Sequence, residues 1–470
     1  MPITVPRRRT AVLTEVAKLW HLAWPVVIGQ LATVGMSVAD VAMTGHLSAD
    51  DLAAVSLGAS IWTIVIVTVM GIMMAINAVV AHEVGAGTPS RIPHAVRQSL
   101  WKAVGIGLIA TVLTNCSTLI FDHLGLEPLV RDKATLFVHI ISIGALPFTA
   151  FRVLYGYSAS LNQTKPAMVV ALIGLLFNVF VNWLLIFGNW GFPQLGAVGC
   201  AWATCLGLWL MLAAMIWWIR HAPAYRSSMP FTHWERPDWP EILRLLKMGL
   251  PIGVTYFAEV SAFCMIGLLV ARFGAVTVSA HQIALNFSSL VFMVPLGIGI
   301  ALLTRVGQAA GEGDPQRARF VAWVGVGLSL AFAVVSAAFI TLFRYQIAAA
   351  YTSDPAVQEL TVHLLLLAAL FQLSDATQVA ASCAIRGYKV TRPPMLIHLM
   401  AFWGFSIPLG CVLGLAPAWM PWAPAAPMMA TGFWIGLTLG LSIAAVLLVW
   451  YLHHLSNQRI ARWRSDALGI

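Results

Sequence analysis

Three acidic side chains lie deep within long apolar runs of this sequence, where a charged group is costly. They are Asp40, Glu259 and Asp375, whereas most of the 18 acidic residues stand in polar segments. A charge at the centre of a bilayer costs about 2.5–3.5 kcal/mol on insertion scales, so an acid kept there needs a counter-ion, a proton or a water-filled cavity. We therefore predict that these three carboxylates form cation or proton sites.

Glu259 and Asp375 belong to the same half of the chain, and the sequence places no Lys or Arg at a matching depth to neutralise them. Two nearby carboxylates without a basic partner repel each other. Either they share a small hard cation such as Na⁺, which prefers oxygen ligands, or one of them stays protonated. The first option makes the pair a Na⁺ site, the second makes it a proton site, and a protonated, purely structural acid is the alternative to both.

Two asparagines accompany the acid in the first half of the chain. Asn178 and Asn182 are four residues apart and therefore lie on one face of a helix. Amide side chains in such a position either line a polar cavity or join neighbouring helices by hydrogen bonds. Both interpretations of the asparagines stay open at this point, as does a structural, protonated Asp40.

The composition indicates what kind of element carries these residues. Of the 470 residues, 60% are hydrophobic and only 10% are charged, and the mean hydropathy is +0.84, whereas soluble domains have roughly 25% charged residues. The apolar runs are continuous and do not alternate with period two, which favours spanning helices over a barrel. We predict an all-α integral membrane protein with twelve transmembrane helices. The predicted spans are 20–44, 56–82, 98–121, 134–160, 166–188, 196–219, 245–271, 280–307, 320–343, 360–386, 394–416 and 431–452.

The distribution of basic residues orients these spans. Twelve spans place both termini on one side of the membrane, and all but four of the 27 Lys and Arg residues fall on that side. Basic residues concentrate in cytoplasmic loops, so we predict that both termini are cytoplasmic. The same rule explains the net charge of +9 without nucleic acid as a partner. The four exceptions are Arg131, Lys133, Arg272 and Arg344.

The chain contains two copies of one repeat. A shift of 226 residues overlays Pro25 on Pro251 and the loop G-A-G-T-P-S-R on G-E-G-D-P-Q-R. Because each copy has six spans, an even number, the copies enter the membrane from the same side as parallel repeats, an organisation typical of transporters. We predict an N-lobe at 1–219 with spans 1 to 6, a cytoplasmic linker at 220–244 and a C-lobe at 245–470 with spans 7 to 12.

No catalytic motif accompanies the acids. The sequence lacks GxxxxGK[ST], HExxH and GxSxG, so it indicates neither ATP-driven transport within this chain nor the corresponding hydrolases. The six Cys residues are scattered without a CxxC pair, which predicts no disulfide framework and no zinc site. We expect a protein that is not an enzyme and that needs no cofactor beyond a coupling ion.

The sequence resembles the multidrug and toxin extrusion family, in its bacterial NorM-like subgroup, over almost its entire length. The resemblance rests on several specific segments taken together. They are S-V-A-D-V-A-M-T-G-H-L-S (37–48), A-A-V-S-L-G-A-S-I-W (53–62), T-K-P-A-M-V (164–169), L-G-A-V-G-C-A-W-A-T (195–204), A-H-Q-I-A-L-N-F-S-S-L-V-F-M (280–293), D-A-T-Q-V-A (375–380) and R-G-Y-K (386–389).

This resemblance implies two six-helix bundles that form a V around a central cavity and switch between inward-open and outward-open states. It also implies a multidrug efflux antiporter of the bacterial inner (cytoplasmic) membrane, which exports cationic, amphipathic drugs and dyes in exchange for Na⁺ or H⁺. We expect the partners to be small cationic drugs, a monovalent cation and the lipid bilayer, without nucleic acid, and we expect a monomer.

The resemblance further implies roles for individual residues. Glu259 matches the cation-binding glutamate of the second lobe, and Asp375 matches its partner aspartate. Asp40 matches the first-helix aspartate of substrate or proton coupling, and Asn178 and Asn182 match polar residues of the first-lobe cavity. Further cavity candidates within the matching region are Gln282, Asn286 and Phe371.

Position 371 departs from the family pattern, because close relatives often have Tyr there and this chain has Phe. The missing hydroxyl weakens the case for Na⁺ coordination, so the sequence leaves both Na⁺ and H⁺ open as the coupling ion. The main alternative function is a flippase for lipid-linked oligosaccharides or lipids in the same superfamily. Such a flippase should line its cavity with basic residues, and the sequence predicts no Lys or Arg inside the membrane.

Overall fold

Helices make up nearly all of the described chain. A computed structural model describes residues 8–123, 127–417, 420 and 423–468, and within these residues it contains no β-strand. The α-helices, numbered in chain order, are α1 (Arg8–Leu47), α2 (Ala49–Met73), α3 (Ala75–Gly85), α4 (Ile92–Cys116), α5 (Pro128–Ser142), α6 (Ala145–Ser160), α7 (Lys165–Phe187), α8 (Ala197–His221), α9 (Trp239–Val270), α10 (Ala275–Gly311), α11 (Pro315–Tyr351), α12 (Pro355–Gly387), α13 (Arg392–Leu399), α14 (Ile407–Leu415) and α15 (Met429–Leu468).

These helices give the twelve spans that the sequence predicts. Eleven helical segments of the described chain are long and apolar enough to cross a membrane by themselves. The twelfth span is the pair α5 and α6, which are bent by 41° relative to each other. The break falls at Ile143 and Gly144, where Pro147 has no N–H group to donate to the carbonyl of Ile143 four residues earlier.

The first and last helices are longer than a membrane requires. Both α1 and α15 have 40 residues, which corresponds to about 60 Å at a rise of 1.5 Å per residue. The hydrocarbon layer is only ~30 Å thick. The predicted spans 20–44 and 431–452 are therefore the apolar parts of longer helices.

The chain divides into two compact units. The first unit is Pro25–Gly253, and the second unit combines the described residues of Met1–Trp24 with those of Val254–Ile470. One boundary coincides with Pro25 in α1, and the other lies beside Pro251 in α9, so both fall at the prolines that the repeat superimposes. Each of these two helices is thus shared between the units, whereas the predicted lobes give each helix to one half.

A buried ion pair fastens the start of α1 to the second unit. Arg305 on α10 donates two hydrogen bonds to Glu15, from Nε at 2.8 Å and from Nη2 at 2.9 Å. Leu19, Leu22 and Ala23 follow on α1 and belong to a buried core cluster with residues of α10, α11, α12 and α15. Because the pair is bidentate and nearly buried, the loss of either partner would leave an uncompensated charge.

Two glycines let the start of α9 approach α2 closely in the first unit. A Cβ atom at Gly249 would lie 2.4 Å from the Ile72 carbonyl oxygen, and one at Gly253 would lie 2.4 Å from Ile72 Cγ1. Small residues four positions apart permit such an approach between membrane helices. The same carbonyl accepts a hydrogen bond from Lys102 Nζ at 3.3 Å, next to the break between α2 and α3 at Met74.

The predicted linker is held against α4 by Glu235. Its carboxylate accepts a hydrogen bond from Arg97 and lies 2.8 Å from His94 Nδ1, and its carbonyl accepts a hydrogen bond from Trp101 Nε1 at 2.9 Å. Burial favours the neutral form of this acid, but the contacts with Arg97 and His94 outweigh burial and lower the pKa of Glu235 to about 2. The linker is therefore fastened by a carboxylate that stays ionised in mildly acidic solution.

Replacing Glu235 by Gln is expected to loosen the linker. The folded-state pKa lies below the usual 4.5, so the carboxylate stabilises the linker fully above pH 4.5 and progressively less as the pH falls towards 2. Pepsin cleavage of the linker should be several-fold faster in Glu235→Gln than in the wild type at pH 4.5. The ratio of the two rates should approach one at pH 2, and comparing rates at each pH cancels the pH dependence of pepsin itself.

The matched control for this experiment is Asp238→Asn. It changes an exposed carboxylate that lies 3.5 Å from His94 Nε2, so cleavage should stay near the wild-type rate. A ratio for Glu235→Gln that does not change with pH would contradict the role assigned to this carboxylate.

Candidate functional site

A ring of hydrogen bonds surrounds Asp40 inside the first unit. Asn182 Nδ2 on α7 donates to Asp40 Oδ1 at 2.6 Å, and Thr204 Oγ1 on α8 donates to Asp40 Oδ2 at 2.9 Å. Asn178 completes the ring, since its Nδ2 donates to Thr204 Oγ1 and its Oδ1 accepts from Asn182 Nδ2, both at 3.2 Å. Three helices, α1, α7 and α8, therefore meet around one carboxylate.

The ring presents several oxygen atoms around a partly accessible acid. Asn178 and Asn182 are fully buried, and Asn182 Oδ1 has no hydrogen-bond partner among the described residues. Asp40 itself is only partly buried. Carboxylate, amide and hydroxyl oxygens are the donors that small hard cations prefer, so this group of side chains has the chemistry of a cation site.

The structure brings together the three first-unit residues that the sequence singles out. Asn178 and Asn182 do share one face of α7, and their hydrogen bonds join α7 to both α1 and α8. Thr204 is not predicted as a site residue from the sequence, because a single Thr in an apolar helix carries no distinctive signal. Cys200, one turn before Thr204, is buried beside this ring and is equally inconspicuous in the sequence.

The second unit holds the other two acids. Asp375 on α12 is 3% exposed, and Glu259 on α9 is partly exposed. The charge of Asp375 acts on the Glu259 carboxyl, so the two acids are neighbours in the fold. Within the described part of the chain, neither acid forms an ion pair, and Glu259 has no hydrogen-bond donor. The pair is therefore incompletely satisfied by the protein alone.

A chain of hydrogen bonds runs from Asp375 to α13. Gln378 Nε2 donates to Asp375 Oδ1 at 3.0 Å, and Gln378 Oε1 lies 2.5 Å from His398 Nε2. His398 Nδ1 lies 2.6 Å from the carbonyl oxygen of Pro394, and the side chains of Asp375, Gln378 and His398 are all buried. Both ring nitrogens of His398 thus face oxygen atoms. The position of the ring proton and the orientation of the Gln378 amide therefore decide whether Asp375 faces the amide nitrogen or the amide oxygen.

The expectation that no basic side chain lies near these acids fails for Glu259. Arg386 in the last turn of α12 is 3% exposed, and its charge acts on the Glu259 carboxyl. The sequence places Arg386 at the end of a span, where a loop residue is expected, but α12 continues to Gly387. The guanidinium carbon lies 5.4 Å from the ring centroid of Tyr256, and this cation–π contact stabilises the buried charge.

Two further basic residues are buried in helices of the first unit, although the sequence assigns both to the side of the chain termini. Lys102 on α4 and Arg152 on α6 are 2% and 8% exposed. Lys102 donates to the carbonyl of Ile72, and the guanidinium carbon of Arg152 lies 4.4 Å from the ring centroid of Tyr155. Each of the two charges is held by a contact within its own unit.

A buried aromatic cluster lies next to Asp375. Phe371, one turn before Asp375, makes edge-to-face contacts with Phe263 and Trp434, at centroid distances of 6.1 Å and 5.8 Å. Phe402 packs against Phe263 at 6.1 Å. Phe371 is 4% exposed and has no polar atom in its side chain, so this predicted cavity residue contributes apolar contact and no oxygen ligand.

A π-helical turn, Met400–Ser406, joins α13 to α14 beside Glu259. Pro408 follows the turn and has no N–H group to donate to the carbonyl of Gly404, four residues earlier and within the turn. Trp403 in this turn donates from Nε1 to the carbonyl of Ala258, the neighbour of Glu259, at 3.2 Å. Such turns recur at functional sites of helical proteins, and here the turn ties α13 and α14 to the helix that carries the acid.

The remaining predicted cavity residues lie on an exposed face of α10. Gln282 and Asn286 are one turn apart and exposed. Asn286 Oδ1 accepts a hydrogen bond from the hydroxyl of Tyr351 at 2.9 Å. These two amides therefore lie together on one face of α10.

Comparison with known families supports the repeat found in the sequence. The MatE family profile matches two separate segments, residues 25–184 and 251–412. The two matches begin 226 residues apart, which is the shift that overlays the sequence on itself. The predicted organisation as two six-helix repeats is therefore confirmed.

Two bacterial relatives match nearly the whole chain. The chain is 42% identical over 442 residues to the multidrug resistance protein PmpM of Pseudomonas aeruginosa, covering 94% of this chain and 92% of the relative. It is 40% identical over 458 residues to the probable multidrug resistance protein NorM of Chromobacterium violaceum, covering 97% of each. The fold is similar to the crystal structure of the eukaryotic MATE transporter AtDTX14, with a TM-score of 0.85 and 19% identity over 96% of this chain and 99% of that one.

The hydrogen-bond chain predicts energetic coupling between Gln378 and His398. Gln378→Leu leaves a carboxylate oxygen and a ring nitrogen buried without partners, at about 1–3 kcal/mol for each such group, and should lower the apparent melting temperature in detergent. Adding His398→Leu should restore part of the loss, because removing both partners of a buried hydrogen bond is less harmful than removing one.

Gln372→Leu provides the matched control for this cycle. Gln372 is as buried as Gln378, but it donates to the carbonyl of Ser288 at 2.9 Å. Its effect should simply add to that of His398→Leu. If the stability losses of Gln378→Leu and His398→Leu are also additive, the contact between Gln378 and His398 does not contribute as described.

Proposed function

This chain belongs to the MatE family, and on that premise we propose that it is a secondary multidrug efflux transporter. It exports cationic, amphipathic drugs and dyes in exchange for Na⁺ or H⁺, by alternating access. The observation that supports this most directly is the pair Glu259 and Asp375, two interacting acids without an ion-pair partner among the described residues. The two relatives named as multidrug resistance proteins support the substrate class.

The acid pair suits a site that is alternately filled and emptied by a cation. Two neighbouring carboxylates in an apolar unit repel each other when both are ionised, and a bound Na⁺ or a proton on one of them relieves that repulsion. Arg386 offsets part of the negative charge, but it lies against the ring of Tyr256 and forms no ion pair with a described acid. The occupancy of the site therefore changes the net charge of the second unit.

Coupling follows from differential affinity. A cation that binds the outward-open state better than the inward-open state shifts the protein towards the former, and a drug with the opposite preference shifts it back. An inward-negative membrane potential adds about 2.3 kcal/mol per charge for each 100 mV. One site with changing charge is then sufficient to link cation entry to drug export.

Two features of the second unit bear on the identity of the ion. Phe371 supplies no hydroxyl to a Na⁺ coordination shell, whereas the buried chain through Gln378 connects Asp375 to the titratable ring of His398. Both features favour H⁺ at this pair. The ring around Asp40, with its amide, hydroxyl and carboxylate oxygens, is the part of the chain whose donors suit Na⁺ or the cationic group of a substrate.

The basic residues support a location and an orientation. Their distribution between the loops favours the bacterial cytoplasmic membrane with both termini in the cytoplasm. We propose that the monomer is the working unit, because the hydrogen bonds around Asp40 and those around Asp375 each close within one compact unit of the chain.

The buried basic residues favour a second candidate, a flippase for lipid-linked oligosaccharides or lipids. Arg386, Lys102 and Arg152 lie inside helices, where a pyrophosphate-binding cavity would need positive charge. Against this, Lys102 is used by a backbone carbonyl, and both arginines lie against tyrosine rings. Proteoliposomes that translocate a fluorescent lipid-linked sugar but not ethidium would favour the flippase.

Neutralising the acid pair should abolish drug export. In proteoliposomes, Glu259→Gln and Asp375→Asn should each reduce ethidium transport to background under separately imposed Na⁺ and H⁺ gradients, because each removes a charge that the cation neutralises. Expression and membrane insertion should remain intact, since shape and polarity are preserved.

Glu312→Gln is the matched control, because Glu312 is an exposed acid paired with Arg317. This variant should transport at the wild-type rate. Wild-type export by either Glu259→Gln or Asp375→Asn, across a range of Na⁺ concentration and pH, would remove the pair from the mechanism.

Asp40→Asn should separate the two sites. We expect export to fall at least about tenfold, a loss of the size typical of a coupling free energy of 1–3 kcal/mol. Stabilisation of the purified protein by the coupling ion should persist, since Glu259 and Asp375 belong to the other unit. Loss of this ion-dependent thermal shift in Asp40→Asn would show that Asp40 is part of the same ion site.

A further inference from the structure

A groove of about 990 Å³ lies in the second unit, away from the acid pair. It is lined by the start of α1, the first half of α11 and the end of α15. The described ends of the chain both contribute to it, so the groove lies on the side of the chain termini. None of the residues assigned a transport role above lines this groove.

The floor of the groove is an apolar stripe along α11. Phe320, Val324, Leu328 and Ala331 recur at helical spacing on one face, and from first to last they extend about 17 Å at 1.5 Å per residue. The first three pack against the buried core cluster shared by α1, α10, α11, α12 and α15. The stripe is thus a fixed surface of the second unit, and its length is similar to that of an extended acyl chain.

One end of the groove is basic. Arg319 and Arg464 line it, while no acidic residue does. Asn457 holds Arg319 in place, because its Oδ1 accepts from Arg319 Nη1 at 2.7 Å and its Nδ2 lies 2.9 Å from His453 Nε2. Neither arginine forms an ion pair with an acid in the described part of the chain.

Three acids that flank the groove along the chain are committed elsewhere, and a fourth, Asp466, is exposed and does not line the groove. Glu15 lies on α1 beside the groove residues, but it binds Arg305. Glu312 binds Arg317, and Asp314 accepts the backbone N–H of Arg317 as the N-terminal cap of α11. The positive charge at the mouth of the groove is therefore not neutralised from these neighbours.

We infer that this groove binds an anionic phospholipid of the leaflet on the side of the chain termini. The lipid phosphate contacts Arg319 and Arg464, and one acyl chain lies along the stripe of α11. Basic pockets between helices at the cytoplasmic face recognise anionic headgroups in this manner. A cationic amphiphile would meet the two arginines with like charge, and a zwitterionic lipid carries no net charge to attract them.

Native mass spectrometry of the purified, full-length protein in detergent tests this inference. Dioleoylphosphatidylglycerol should occupy one saturable, high-affinity site per protein. Dioleoylphosphatidylcholine should bind at least about fivefold more weakly. Arg319→Gln and Arg464→Gln should each weaken the binding of the anionic lipid about fivefold, as expected for the loss of one basic residue near a charged headgroup. Arg462→Gln, on the same helix but outside the groove, should bind like the wild type.

A second variant tests the acyl-chain part without changing any charge. A Cβ atom at Gly327 would meet no atom within 4 Å, so Gly327→Phe fits the fold and fills the groove beside the stripe. This variant should lose most of its affinity for dioleoylphosphatidylglycerol and keep its melting temperature. Glycerol phosphate at millimolar concentration should not displace the lipid from the wild-type protein.

Three results would overturn the inference. The first is equal affinity for the anionic and the zwitterionic lipid, and the second is undiminished binding in the double variant Arg319→Gln/Arg464→Gln. The third is displacement of the lipid by glycerol phosphate, or by ethidium independently of the two arginines, because either would assign the groove to a different ligand.

Discussion

The free-energy penalty for a carboxylate in an apolar interior governs both units of this protein. In the first unit, the protein itself offsets this penalty, because Asn182 and Thr204 donate hydrogen bonds to the two oxygens of Asp40. In the second unit it does so incompletely, since Asp375 receives one donor from Gln378 and Glu259 receives none among the described residues. The first acid is stabilised as built, whereas the second pair lacks donors among the described residues, as the proposed exchange of a bound cation requires.

The helices that carry Asp40 and Glu259 have a second property in common. Both α1 and α9 are shared between the two compact units, which divide at Pro25 and two residues after the equivalent Pro251. The start of α1 is fixed by the ion pair of Glu15, and the start of α9 packs through its glycines. A change in the charge of either acid therefore acts on a helix that is anchored in both units, which is the physical requirement for coupling a site to a conformational change.

Sequence analysis predicts the elements of this fold better than their contacts. Twelve spans, the repeat and the shared face of Asn178 and Asn182 follow from hydropathy and helical periodicity. Periodicity does not say which faces meet, so Thr204 and His398, which complete the two polar networks, carry no signal in the sequence. Arg386 is misplaced for a different reason, because charge rules assign basic residues at span ends to loops, and only tertiary structure shows that a tyrosine ring covers it.

In the proposed mechanism, drug and cation are linked through Glu259 and Asp375. The most direct test is the affinity of purified protein for ethidium, measured by fluorescence anisotropy as Na⁺ or H⁺ is added. Thermodynamic linkage requires that the coupling ion weakens ethidium binding to the wild-type protein, and the double variant Glu259→Gln/Asp375→Asn should bind ethidium with an affinity that no longer depends on the ion. Ion dependence that persists in the double variant, or that is absent from the wild type, would contradict a linkage through these two acids.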